Sequence, residues 1–236
     1  MRPIFGQEEV QEHGVVQPVI TLSSAMSNTP AILVNYCFDP VWLKEYLNLE
    51  ITLYDRSDDG IERELTQYGA VYNTKNVGDV DYDKLGWLIE NYDKLPEVFL
   101  WGKSNLFKYV DEGYFNEMLL KGEFAPLLKL DHKTYSDNFG VVCKYEGGIY
   151  KERADNWFFN CTTPKYFKTW DEWCLHFGLP REGFIPFAPG GNYILTRERV
   201  HRYSRDFYAD MRNMLPHTQR PAEAQAAERS YYLMWR

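Results

Sequence analysis

The sequence predicts an α/β domain with a mostly parallel central sheet flanked by helices. Three observations carry that expectation. Short apolar runs recur between residues 31 and 102, each bounded by turn-forming residues. Segments with helical apolar spacing and capping residues lie between those runs. Strand, helix, strand, helix is the order that parallel pairing requires, because a parallel partner is reached only through a crossover.

Taken in order, residues 1–29 read as a tail or extension, with acids in MRPIFGQEEVQEHG and a loop-forming run SSAMSNTP. One domain is expected over residues 30–236. AILVNY (31–36) reads as a buried strand. DPVWLKEYL reads as a helix with Asp39 as N-cap and Pro40 at the first helical position, where a missing N–H does no harm. ITLYD (51–55) is the second strand, IERELTQYG (61–69) a helix stopped by glycine, and AVYNT (70–74) the third strand. Beyond NVGDVD (76–81) comes a helix with Leu85, Leu88, Ile89 and Tyr92 on one face, ended by Pro96. VFLWG (98–102) is the fourth strand. The second half is less regular. Helices are expected at 113–121, 168–177, 197–214 and 221–235, with FIPFAPGGNYIL as a loop entering a strand.

Composition narrows the function. Hydrophobic residues at 44% and charged residues at 25% describe a globular chain rather than a disordered one. A net charge of -8 argues against a duplex nucleic acid as partner. No apolar run approaches the roughly 20 residues that span a bilayer. The acidic N-terminus lacks the apolar core of a signal peptide, so the expected location is cytoplasmic. Cys37, Cys143, Cys161 and Cys174 form no C-x-x-C pair, which argues against a zinc ribbon and a disulfide framework. Aromatics reach 17%, enough either to line a sugar or nucleotide site with rings or simply to fill a tyrosine-rich core and rim.

In a parallel sheet, ligands bind beyond the carboxyl ends of the strands. That rule places Asn35–Asp39, Asp55–Asp59, Asn76–Asp81 and Gly102–Asn105 on one rim. Asp79 and Asp81 are two residues apart and would suit Mg²⁺ or Mn²⁺, or would equally well cap and open the next helix. Lys103 at a strand end would neutralise a diphosphate, or would be a solvated turn lysine. Gly190 and Gly191 permit close backbone approach to a ligand, or form a plain turn into the strand that Asn192 begins. Glu223 and Glu228, in the last helix, read as a general base or as a solvated or ion-paired helix face. His132, His201 and His217 are the candidate site histidines, and none shows metal-ligand spacing.

The ordered set AILVNY, ITLYD, NVG with LGWLIENYDKLP, VFLWGKSNLFKY, FIPFAPGGNYILTRERV and AEAQAAERSYYLMW resembles a group of bacterial and viral glycosyltransferases of the GT-A fold, an algal-virus-encoded domain among them. The resemblance covers about residues 30–235. It implies a single GT-A-like domain with an irregular acceptor-side C-terminal half. It implies a nucleotide-diphosphate-sugar donor, usually UDP-linked, a glycan or other hydroxyl acceptor, and Mn²⁺ or Mg²⁺ on the phosphates. Asn35, Tyr36 and Asp55 would hold base and ribose, with Lys103 and Asn105 also on the donor side. Gly190, Gly191 and Asn192 would face the acceptor, and Glu223 or Glu228 would be the catalytic carboxylate. One departure stands out. The D-x-D of that fold follows the fourth strand, where this chain has GKSN. Either Asp79 and Asp81 supply the metal ligands from the neighbouring loop, or Lys103 replaces the metal's charge. The missing motif also leaves open a non-catalytic sugar- or protein-binding module on the same scaffold. A pyrophosphorylase would want a Gly- and Lys-rich N-terminal loop that this chain lacks.

Overall fold

A computed structural model describes residues 28–129, 143–154 and 156–236. All but the last two residues of the expected tail, and His132, lie outside the described residues. In chain order the strands are β1 (Thr29–Asn35), β2 (Leu49–Asp55), β3 (Ala70–Asn73), β4 (Val98–Lys103), β5 (Ala125–Pro126), β6 (Cys143–Glu146), β7 (Ile149–Arg153), β8 (Phe184–Phe187) and β9 (Tyr193–Thr196). The helices are α1 (Asp79–Glu90), α2 (Glu112–Lys121), α3 (Trp157–Cys161), α4 (Trp170–Phe177), α5 (Arg197–Val200), α6 (Arg205–Asn213) and α7 (Ala222–Trp235).

The main sheet has the order β3-β2-β1-β4-β9-β5. Its first four strands are parallel, and β9 runs antiparallel between β4 and β5. The mixed α/β architecture with a mostly parallel central sheet is therefore as the alternation predicts. The apolar runs are continuous because both faces of the sheet are covered. Ile32, Phe99, Trp101, Tyr193 and Leu195 enter one core with α1, α4, α6 and α7. Ala31, Leu33, Leu100 and Ile194 enter a second core with Phe115 and Leu119 of α2. Successive residues point to opposite cores, as the period of two demands.

A second sheet, β6-β7-β8, is antiparallel throughout. Its first hairpin turns on Gly147 and Gly148 at φ +64 and +80, the left-handed pair that a two-residue hairpin loop needs. Sequence reading misses β6, β7 and α3, and takes FIPF of β8 for loop. Among the described residues no helix is long and apolar enough to cross a membrane.

Two expected helices shrink to 3-10 turns, Val41–Glu45 and Leu65–Gln67. In the first, the Asp39 carboxylate accepts from Tyr68 Oη at 2.7 Å and caps nothing. Ahead of the second, Asp59 accepts from the Ile61 N–H at 3.1 Å and from Arg63 at 3.0 and 2.5 Å, which closes a turn before Leu65. The expected helix 197–214 is broken into α5 and α6, and Ser204 caps the second piece by accepting from the Phe207 N–H at 3.2 Å. The largest difference is α7. Twelve of its fourteen residues are buried, so it is a central helix with no solvated face. Ala224, Ala226 and Ala227 let it lie close to its neighbours, and it packs on α1, α3 and β8. Arg229 ties it to β7, reaching Glu152 at 3.2 and 3.0 Å.

Candidate functional site

The strand order reverses at β1, whose neighbours β2 and β4 belong to opposite halves of the sheet. A crevice forms at such a point, beyond the carboxyl ends. Register aligns those ends: Asn35 lies opposite Asp55, Asp55 opposite Asn73, and Val34 opposite Lys103. Above them opens a cleft of about 790 Å³.

The rim is held by hydrogen bonds between strands. Asn35 is fully buried, donates to Asp55 Oδ1 at 3.0 Å and accepts from Ser104 Oγ at 2.5 Å. Asp55 also accepts from the Ser57 amide and hydroxyl, at 3.2 and 2.7 Å. Asn35 and Asp55 therefore splice β1, β2 and the end of β4 together beneath the cleft. Of the five residues expected on the donor side, Tyr36, Lys103 and Asn105 line the cleft.

The opening of α1 forms one wall. Gly78 stands at φ +69, and a Cβ there would lie 2.8 Å from the Tyr82 Cβ, so only glycine fits. Its amide donates to Thr218 O and that of Asp79 to Gln219 O, at 2.7 and 2.8 Å. These bonds bring Gln219 and Arg220, which precede α7, into the cleft. Asp79 also has a positive φ, +50, uncommon for a residue with a side chain. Its Oδ1 accepts from the Val80 amide at 2.7 Å, and its Oδ2 lies 3.5 Å from Gln225 Nε2. Among the described residues, it is the one carboxylate lining the cleft.

Asp81 goes the other way. Residues two apart on a helix diverge by about 200°, and Asp81 points into the core, 2% exposed. There it accepts from Tyr231 Oη at 2.9 Å and pairs with Lys84 Nζ at 3.1 Å. Lys84 is fully buried, sits 5.4 Å from both the Trp101 and Tyr231 rings, and donates to Gly191 O at 3.1 Å. Burial pushes the Asp81 carboxyl up and the Lys84 ammonium down, and each charge opposes the other's shift. Asp79 and Asp81 thus do not converge on one cation, and their placement does not fit the expected Mn²⁺ or Mg²⁺ site. Among the described residues, no three His, Cys, Asp or Glu side chains are grouped to hold a metal ion.

Gly190, Gly191 and Asn192 are buried and brace the site from beneath, outside the lining of the cleft. Asn192 Oδ1 accepts the Lys103 amide at 2.9 Å and its Nδ2 donates to Pro189 O at 3.2 Å. Both glycines have positive φ, and a Cβ on Gly191 would come 3.0 Å from Lys84 Nζ. The turn therefore fixes Lys103 on one side and Lys84 on the other.

The two glutamates of α7 separate. Glu223 is fully buried and accepts from the amides of Lys165 and Tyr166 at 2.8 and 2.7 Å. His217 lies beside it at 3.5 Å, away from the cleft. His201 meets the Tyr92 carbonyl at 2.9 Å. Glu228 approaches Lys103 Nζ at 3.7 Å and Arg229 at 3.4 Å. Burial would lower the Lys103 ammonium, but the carboxylates of Glu228 and Asp79 outweigh it and hold that group above the usual lysine value.

Four cations line the cleft: Arg56, Lys103, Lys108 and Arg220. Arg56 is 2% exposed, donates from Nη2 to Val77 O at 2.5 Å, and lies 3.5 Å from Asp83. Lys103 is the one of the four that the sequence reading singles out; Lys108 and Arg220 fall outside the expected rim. Arg56 follows Asp55 at a strand end and the rim rule reaches it. Lys108 lies one turn past Lys103 on the same loop. Arg220 leaves no sequence signal, because long-range backbone bonds, among them those from Gly78 and Asp79 and the bridge between Thr163 and Pro221, bring its segment here.

Asp83 gives a pH prediction. Burial raises its carboxyl to about 6, against the opposing pull of Arg56 and Thr74. A carboxyl raised in the folded state favours folding fully below the unfolded value near 4, and that favour is lost as pH rises through about 6. Between pH 4 and 7 this one group should remove roughly 2–3 kcal/mol of stability. Urea denaturation of Asp83→Asn should show a flatter pH profile than wild type in that window, and an equally steep profile would refute the assignment.

No family model, curated protein or solved structure matches the chain.

Proposed function

We propose that the chain is a glycosyltransferase of GT-A-like architecture that moves a sugar from a nucleotide-diphosphate donor, of the UDP-sugar type, to a hydroxyl of a glycan or similar acceptor. The observation that carries this reading is the cleft. In a chain of net charge -8, four cations and one carboxylate surround a crevice of about 790 Å³ at the switch point of a parallel sheet. That volume suits a small-molecule ligand of nucleotide size, and clustered cations suit phosphates.

In this reading Lys103 and its neighbours stabilise the charge that grows on the departing diphosphate as the sugar–phosphate bond breaks through an oxocarbenium-like transition state. Asp79, on the wall opposite Lys103's strand, takes the proton of the acceptor hydroxyl. A strained backbone at a cleft carboxylate supports a functional role, since such conformations collect at working sites. Glu228 positions Lys103 through their ion pair, and Glu223 holds the 165–166 loop.

A thermal-shift screen tests this reading with UDP, GDP, ADP and CDP and their sugars. At least one nucleoside diphosphate should raise the midpoint. Lys103→Met should weaken that ligand by about 10–100-fold, the loss of one charge-assisted contact. A second reading, a non-catalytic binding module, draws on the absence of both α7 glutamates from the cleft lining. Binding of a free sugar without any nucleotide response would favour it.

A further inference from the structure

We infer that the cleft is a polyphosphate site that works without a divalent cation. Two independent observations meet here. The first is the cation set. Lys108 and Arg220 are exposed, come from different segments, and have no ion-pair partner among the described residues. They are free to close on an anion. Lys103 Nζ and Lys108 Nζ each lie 5.5 Å from the centre of the Tyr109 ring, which also lines the cleft.

The second is Arg56. Its guanidinium is buried beneath the same cleft, yet Nη1 has no hydrogen-bond acceptor among the described residues. A buried donor left unmade costs free energy that its fold neighbours do not recover. Nη2 donates to Val77 O at 2.5 Å, while Nε lies 3.5 Å from Asp83 Oδ2 as an ion pair and makes no hydrogen bond among the described residues. Nε and Nη1 both lack a hydrogen-bond acceptor among the described residues, and a phosphate oxygen is the acceptor whose geometry a guanidinium fits best.

A metal would serve to neutralise the diphosphate. Here the carboxylates that would hold one are divided between the cleft and the core, while four cations already face the anion. This inference rests on the proposed function only for the nucleoside; the polyphosphate site is argued from the cleft alone.

The test is calorimetric titration of the full chain with inorganic pyrophosphate and, separately, with UDP, GDP and ADP, in EDTA and in Mg²⁺. Pyrophosphate should bind in EDTA, with an affinity that Mg²⁺ does not increase and that added salt weakens. Arg56→Gln should weaken it by about 10-fold or more. Should that variant fail to fold, the surface pair Lys108→Gln/Arg220→Gln must still produce the loss. Pyrophosphate binding that requires Mg²⁺, or no binding under either condition, overturns the inference. Pyrophosphate binding in EDTA with no nucleoside diphosphate binding more tightly supports it and instead removes the nucleotide-sugar reading.

Discussion

Lys84→Met should destabilise the protein by about 3–5 kcal/mol, because it leaves a buried carboxylate without its counter-charge. The wild-type pair is inaccessible to water, and both partners are further bonded, Asp81 to Tyr231 and Lys84 to Gly191. Methionine keeps most of the stem that packs between Trp101 and Tyr231, so the loss is electrostatic rather than a cavity. The pH dependence separates this from a packing defect. Burial already raises the Asp81 carboxyl, and removing Lys84 removes the main force opposing that rise. A raised carboxyl costs nothing below its unfolded value near 4 and costs progressively more as pH climbs toward the folded value. The gap between Lys84→Met and wild type in urea should therefore widen from pH 4 to pH 7. Asp81→Asn/Lys84→Met should recover most of the loss, since exchanging both charges for neutral groups leaves no orphan. A single variant within about 1 kcal/mol of wild type at pH 7 would show that the pair carries no such charge.

Asp79→Asn should lower turnover of the donor by about 10²–10⁴-fold, the range for removal of a general base, with donor affinity retained. Asparagine tolerates the left-handed conformation at φ +50, so the backbone of the cleft wall survives the exchange. Removing a negative charge from a basic cleft should, if anything, tighten donor binding. Glu228→Gln should behave differently. It frees Lys103 from its ion pair and should move KM more than kcat. Steady-state kinetics of the two variants side by side decide the roles. Near-wild-type kcat for Asp79→Asn with a collapsed kcat for Glu228→Gln would reverse the assignment.

How far the sequence reaches depends on the range of the interaction involved. β1 to β4 and α1 are legible because apolar runs and helical apolar spacing are local signals, and the expected rim residues Tyr36, Lys103 and Asn105 line the cleft. The helix expected at 39–47 fails where Tyr68 claims the Asp39 carboxylate read as its N-cap, and that at 61–69 shortens to a 3-10 turn. A solvated face is the plain alternative for the glutamates of α7, whereas tertiary packing buries twelve of its fourteen residues around alanines. The aspartate pair shows the same limit at the site. Spacing of two suits a metal on an extended chain, but within a helix it sends Asp79 to the cleft and Asp81 to Lys84. Arg220 reaches the cleft through long-range backbone bonds, and no composition rule anticipates them.

Cleavage of the sugar–phosphate bond is the most direct measure of the central claim. The protein would be incubated with UDP-, GDP-, ADP- and CDP-sugars, with water or mixed oligosaccharides as acceptor, and released nucleoside diphosphate followed by phosphorus NMR. The account predicts release from one nucleotide class, stimulated by an acceptor and lost in Lys103→Met. Saturable nucleotide binding with no release from any donor would contradict transfer and leave a binding module in its place.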